Sequence, residues 1–350
     1  MKWVAIFLCF MFSASGLRGI EKLDATRLAM EGRKLSIEEA TALEKSLEKN
    51  PDDLTNIAKL LGYYSVKTFS NDTIKGKKRA LVLFMIRKYP ENPILGIPYG
   101  QLNRFVEDYP AAEREWLEQL KKATKNPVVV ENAAKSFMTG GNIDLAIEYL
   151  KKALELDKKN VFARNRDIGN AYMLKAAKSG FMGIADTEST KKALEFFETA
   201  CAAATTSCDE RDTILADMAK AAFKCGETDK AAQYAALMLE EAQKDSGNWN
   251  SGNLFYYGNL VSGMLALKKG NIEEAEKYLL EAGNSKGSPQ LNSFGPGMAL
   301  ADALFKKGKR ATVLEFLKRC SKFWQNPKCK RWIKEMEENK VPDFSGNLYY

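Results

Sequence analysis

Apolar residues recur at spacings of three and four through most of the chain, and the clearest run is Gly141 to Asp157. There they stand at positions 143, 146, 147, 150, 153, 154 and 156. That spacing predicts an amphipathic helix with one buried stripe. Gly141-Asn142 ends the preceding helix and makes the turn. Val128 to Met138, opened by Pro127, is predicted as the other arm of a hairpin, since proline suits a first helical turn. Ala146 and Ala153 share one face, so another helix can approach closely there. A single hairpin cannot bury both of its faces, and the pattern therefore predicts stacked neighbours.

Those neighbours are visible as copies. The same turn and helix recur from Gly270-Asn271-Ile272 through Ala275, Tyr278, Leu279 and Ala282, and again from Gly226 through Ala231, Ala232 and Tyr234. A further copy runs from Gly308 through Val313, Phe316, Leu317 and Cys320, and Lys192 to Ala200 repeats the second arm without the glycine turn. The repeated turn, small residue and aromatic at fixed offsets resemble the tetratricopeptide repeat, a helical hairpin of about 34 residues. Ala146, Leu150 and Ala153 match its second helix, with Lys158 where the closing proline would stand. Ile168-Gly169 and Tyr172 match the first helix of the next unit, and Ala193, Phe197 and Ala200 its second, with Ser179 to Thr187 as an insertion between them.

The resemblance implies an all-α, right-handed solenoid of about six or seven tetratricopeptide-like hairpins. It is strong from residue 127 to 285 and fades upstream. The expected organisation is a leader over 1–16, degenerate helical repeats over 20–126, a repeat array over 127–339 and a flexible tail over 340–350, where helix breakers gather. In the degenerate part, Ser36 with Glu39 forms a capping box, Leu60-Leu61-Gly62-Tyr63-Tyr64 reads as a helix, and residues 80–90 read as another. Residues 92–98 read as loop, and a helix pair is expected over 99–109 and 111–124. The glycine- and proline-rich stretch from Ser288 to Gly297 reads as a linker into a helix beginning near Met298.

Composition narrows the chemistry. Hydrophobic residues make up 45% and charged residues 28%, which suits a packed core. The net charge of +8, from 53 basic and 45 acidic residues, is spread along the chain and gives no reason to expect a nucleic-acid partner. The chain has no histidine. Serine–histidine and cysteine–histidine nucleophiles and histidine-ligated metals are therefore excluded. No phosphate-cradling glycine motif is present, and no cofactor or metal is expected.

Lys2, the apolar run Trp3 to Phe12 and the small residues Ser13-Ala14-Ser15-Gly16 read as an export signal cleaved before Leu17. The run is shorter than the roughly 20 residues a membrane-spanning helix needs. The expectation is a periplasmic or secreted protein with no transmembrane segment in the mature chain. An oxidising compartment would permit Cys320–Cys329 and Cys201–Cys208 disulfides, while Cys225 reads as a core residue.

The solenoid resemblance implies a concave groove lined by the first helix of each hairpin. In that register Arg166 and Asn170 lie a helical turn apart on the inner face, and Lys135 holds the equivalent place one unit earlier. Such donors resemble part of the family's carboxylate clamp for peptide ends, through charge-assisted hydrogen bonds. The next units depart from it, with Asp217 in one and Tyr257 and Val261 in the other. The function expected is a scaffold that binds a protein or peptide and has no catalytic activity of its own. The alternative is a carboxylate-based or cysteine-based enzyme on an α/α helical scaffold.

Overall fold

The structure, a computed structural model, describes residues 20–67, 71–105, 108–123, 125–181, 186–204 and 208–348. The leader expected over 1–16 lies outside the described residues. Every regular element among the described residues is helical, and the chain divides into two compact units between Ala171 and Tyr172. That division falls inside a helix, not at the 126/127 step from weak to strong repeats.

The N-terminal unit holds α1 (Ile20–Gly32), α2 (Ile37–Lys49), α3 (Leu54–Lys67), α4 (Asp72–Lys88), α5 (Tyr109–Lys122), α6 (Pro127–Gly140), α7 (Ile143–Leu156) and the first half of α8 (Val161–Phe181). The capping box forms at the start of α2: Glu39 N donates to Ser36 Oγ at 3.2 Å, and Ser36 N donates to the Glu39 carboxylate at 2.7 Å. Helices α1 and α3 pack closely, because each presents a glycine to the other's backbone: Gly32 faces Lys59 and Gly62 faces Ala29. Among the described residues the helix expected over 99–109 does not form: the 3-10 turn Pro98–Gly100 reaches only its first two positions, and α5 starts only at Tyr109, while the stretch read as loop holds a further 3-10 turn, Pro93–Gly96. Pro93 and Pro98 lack the N–H a continuing α-helix would donate. Gly100 also sits so near the Ile94 carbonyl that no side chain fits.

The C-terminal unit continues α8 and adds α9 (Thr187–Ala203), α10 (Cys208–Cys225), α11 (Thr228–Lys244), α12 (Ser251–Lys268), α13 (Ile272–Ala282), α14 (Pro289–Phe294), α15 (Ala299–Lys306), α16 (Arg310–Cys320) and α17 (Pro327–Glu337). Consecutive helices pack in sequence from α9 to α13, and α10 also meets α12, so the hairpins stack side by side as in an α-solenoid. Helix α12 is buried on several faces, between α10, α11, α13 and the α14–α15 segment.

The predicted turns share one geometry. Gly141, Gly226, Gly270 and Gly308 all take positive φ, between 80 and 91°. In each, the following N–H reaches back five residues: Asn142 to Phe137, Glu227 to Ala222, Asn271 to Ala266 and Lys309 to Leu304, at 2.9 to 3.0 Å. This is the left-handed cap that ends a helix and satisfies its last carbonyls. The second helices share a buried triplet at offsets of four and seven. It reads Ala146-Leu150-Ala153, Ala193-Phe197-Ala200, Ala231-Ala235-Met238, Ala275-Leu279-Ala282 and Val313-Leu317-Cys320, each residue at most 1% exposed.

That triplet explains the cysteines. Cys320 holds the place that alanine holds in three other repeats, and Cys320 and Cys329 are both buried free thiols. The Cys329 thiol donates to the Leu317 carbonyl at 3.6 Å. The expected Cys320–Cys329 bond is therefore not formed, because each sulfur fills a core position of its own. Cys201 is also a free thiol. The side chain of its expected partner, Cys208, lies outside the described residues.

The tail corrects a second expectation. Through Leu348 it is packed onto the unit and not flexible. The Trp332 indole N–H donates to the Asp343 carbonyl at 2.9 Å, and the Trp332 and Phe344 rings meet edge to face at 5.0 Å. Buried Asn347 donates to the Phe294 and Pro296 carbonyls at 3.2 and 3.1 Å. Those bonds also anchor the segment from Ser288 to Gly297, which contains the short helix α14 and passes into α15 as the linker reading expected.

Candidate functional site

Helix α6 begins where Asn126 caps it, its side chain accepting from Val128 N at 3.0 Å. It ends at Gly141, and the stripe between these points turns Glu131 and Lys135 to one side, a helical turn apart. Helix α8 brings Arg164, Arg166 and Asp167 to the same region. Lys135 Nζ lies 2.5 Å from Glu131 Oε1 and 3.4 Å from Asp167 Oδ2. Arg164 Nε meets the other oxygen of Glu131 at 3.2 Å, and Arg164 also pairs with the Asp157 carboxylate at 3.0 Å and with the Asp157 carbonyl. Arg166 reaches Asp167 Oδ1 at 3.4 Å and lies over the Phe162 ring.

These six side chains form a charge-balanced network that ties α6, the loop after α7, and α8 together. Burial by itself would lower the Lys135 pKa, but Glu131 and then Asp167 reverse this and hold it above the ordinary lysine value. The Asp157 carboxyl is held below its ordinary value, chiefly by the Lys159 backbone N–H at 2.9 Å and, against some desolvation, by Arg164.

The three residues singled out from the sequence thus have different settings. Lys135 is buried and compensated by two carboxylates, so its charge is spent inside the protein. Arg166 is half-buried, with 21% of its side chain exposed. Asn170 is half-buried one turn further along α8. Sequence spacing missed the acids. Glu131 four residues before Lys135 was the available signal on α6, whereas Asp167 reaches Lys135 from another helix and left no local trace.

In the C-terminal unit the corresponding first helices are α10 and α12. Lys220 pairs with Asp217 at 3.0 Å and lies over the Tyr257 ring at 4.7 Å. Desolvation by the surrounding protein and the adjacent Lys220 lower the Lys224 pKa. Lys268 lies over Phe223. Tyr257 and Val261 are buried, with Tyr257 serving as the floor under Lys220.

The hairpin α6–α7 decides the family of this part of the chain, since residues 131–160 match the tetratricopeptide repeat family. Residues 131–160 form a tetratricopeptide repeat. In this repeat α6 is the first helix and α7 the second, and Lys135 falls on the first. No curated protein matches the chain. Among solved structures the chain is similar to YrrB, described as a TPR protein with an unusual peptide-binding site. The two are 17% identical, the match covers 63% of this chain and 97% of that one, and the TM-score is 0.34.

Proposed function

We propose that this chain is an exported, periplasmic or secreted scaffold that binds a protein or peptide along the first helices of its repeats and has no catalytic activity of its own. The observation that carries this reading is the contrast between Lys135 on α6 and Arg166 on α8. Lys135 is consumed by Glu131 and Asp167, whereas the Arg166 guanidinium, supported by Phe162, remains part-exposed beside Asn170. A planar donor group and an amide one turn apart are suited to a carboxylate or a peptide amide. The pair Arg166 and Asn170 is the proposed contact, with Lys135 as the residue that holds α6 to α8 beneath it.

Export rests on Lys2 and the apolar run from Trp3 to Phe12. Among the described residues no helix is long and apolar enough to cross a membrane. The cysteine-based alternative has chemistry against it. Burial raises the Cys201 pKa, pushes Cys329 up to about 11 and holds Cys320 well above its ordinary value. An activated thiol nucleophile needs the opposite shift.

The test is affinity capture of exported proteins by the mature chain and by the Arg166→Ala/Asn170→Ala variant. A partner held by the mature chain and lost from the variant supports the reading. Equal capture by both overturns the contact. Fractionation with N-terminal sequencing tests export, for which a mature chain starting at Leu17 is expected.

A further inference from the structure

Three loops that each follow a second helix come together at one edge of the C-terminal unit. They are 245–250 after α11, 283–288 after α13 and 321–326 after α16. The Lys286 ammonium donates to the Ser246 carbonyl, and Gly287 sits tightly against Phe323, so the middle loop touches both of the others. The middle loop is rigidly built. Buried Ser285 donates its hydroxyl to the Gly252 carbonyl at 2.9 Å and accepts from Gly287 N at 3.1 Å. Gly252 in turn lies so close to the Gly287 carbonyl that no side chain fits between them.

Between the second and third loops lies an open pocket of about 590 Å³, whose walls include Lys286, Asn292, Lys322, Phe323, Gln325 and Asn326. No carboxylate lines it. The Lys322 ammonium makes no hydrogen bond or ion pair among the described residues. Asn326 spends its oxygen on Lys328 N, at 2.9 Å, which leaves its amide hydrogens available. Asp245 is the acidic residue of the neighbouring loop, and its Oδ1 accepts from Gly247 N and Asn248 N, both at 3.0 Å.

We infer that this pocket is a second binding site and that its ligand is an acidic peptide segment. Two ammonium groups and three side-chain amides offer donors with no carboxylate among the lining residues, Glu315 of α16 being the acid whose charge Lys322 feels from outside the pocket, and such donors suit carboxylates. The amides can also meet peptide N–H and C=O groups, and the Phe323 ring gives the methylene stem of a glutamate an apolar surface. The volume suits a few residues of extended chain, and the open side lets that chain continue past the pocket in both directions. The site is distinct from Arg166 and Asn170, and it rests on the scaffold reading only in taking a polypeptide as its ligand.

Fluorescence anisotropy with labelled hexaglutamate, on the full mature chain, tests this. Saturable binding is expected that weakens with added salt and is absent for hexaglutamine. The Lys286→Gln/Lys322→Gln variant should weaken it about tenfold or more, while Lys286→Arg/Lys322→Arg should stay within about threefold, since charge is kept. Both lysines are exposed, so unchanged circular dichroism is expected for every variant. Unchanged affinity in the glutamine variant, equal binding of hexaglutamine, or no binding of hexaglutamate at low salt would each overturn the proposal. The Lys334→Gln variant, at an exposed lysine of α17 outside the pocket, should bind hexaglutamate as the parent does; an equal loss there would reduce the binding to general charge attraction and sink the site.

Discussion

Gly62 of α3 lies directly against the backbone carbonyl of Ala29 in α1, so that a Cβ placed on Gly62 would overlap that oxygen. Gly32 meets Lys59 in the same way from the other side. The two helices therefore touch backbone to backbone, and their separation is set by the missing side chains. Gly62→Ala must push α1 and α3 apart, and overpacking of this kind costs about 1–3 kcal/mol or more. Gly76 in α4 has nothing near enough to obstruct a Cβ. Gly76→Ala should instead stabilise by about 0.4–1 kcal/mol through the unfolded chain's lost freedom. Urea denaturation of both variants checks the contrast, and equal midpoints would contradict it.

The network around Lys135 should behave as a buried, coupled set. Lys135→Met leaves Asp167 and Glu131 short of a cation and is expected to cost about 3–5 kcal/mol. Adding Asp167→Asn removes one of the stranded charges, so the double variant should lose less than the two single losses added together. Strict additivity in the double-mutant cycle would show that the 3.4 Å pair is not energetically coupled.

The same network sets a pH dependence. The folded pKa of Asp157 is depressed, so its contribution is present above the unfolded value of about 3.9 and is lost as pH falls through the lower folded value. The folded pKa of Lys135 is raised, so its contribution is complete below about 10.4 and is lost only as pH rises through the higher folded value. Urea midpoints measured from neutral pH into acid should fall less steeply for Asp157→Asn than for the parent. Identical acid limbs would remove Asp157 from the account.

The thiols at Cys320 and Cys329 should be silent in the folded protein. Reductant is expected to leave the melting temperature unchanged, and iodoacetamide should label both residues only after unfolding. Cys320→Ala should cost little, because alanine holds that place in the repeats ending at Ala153, Ala200 and Ala282. A melting temperature lowered by several degrees in reductant would instead reveal a bond between the two.

Phe344 is 3% exposed and packs on Trp332, so the tail contributes to the core. Phe344→Ala is expected to cost about 3–5 kcal/mol, whereas Val341→Ala, at a residue 75% exposed, should be near neutral. Thermal unfolding of the two variants distinguishes a packed tail from a loose one.

What the sequence by itself determined is whatever one hairpin can specify alone. The glycines at 141, 226, 270 and 308 require a left-handed turn, and the buried triplets at offsets of four and seven require a close neighbour, and both are local consequences of helix geometry. The register that picked out Arg166 and Asn170 on α8 is of the same kind. Tertiary structure alone decided what meets across those surfaces. It paired Gly62 with Ala29, gave Lys135 the Asp167 carboxylate, turned the Cys329 thiol to the Leu317 carbonyl and folded Phe344 back onto Trp332. Each of these joins residues on different elements. The free energy that selects them is shared burial and charge compensation, which arises only after the helices have packed.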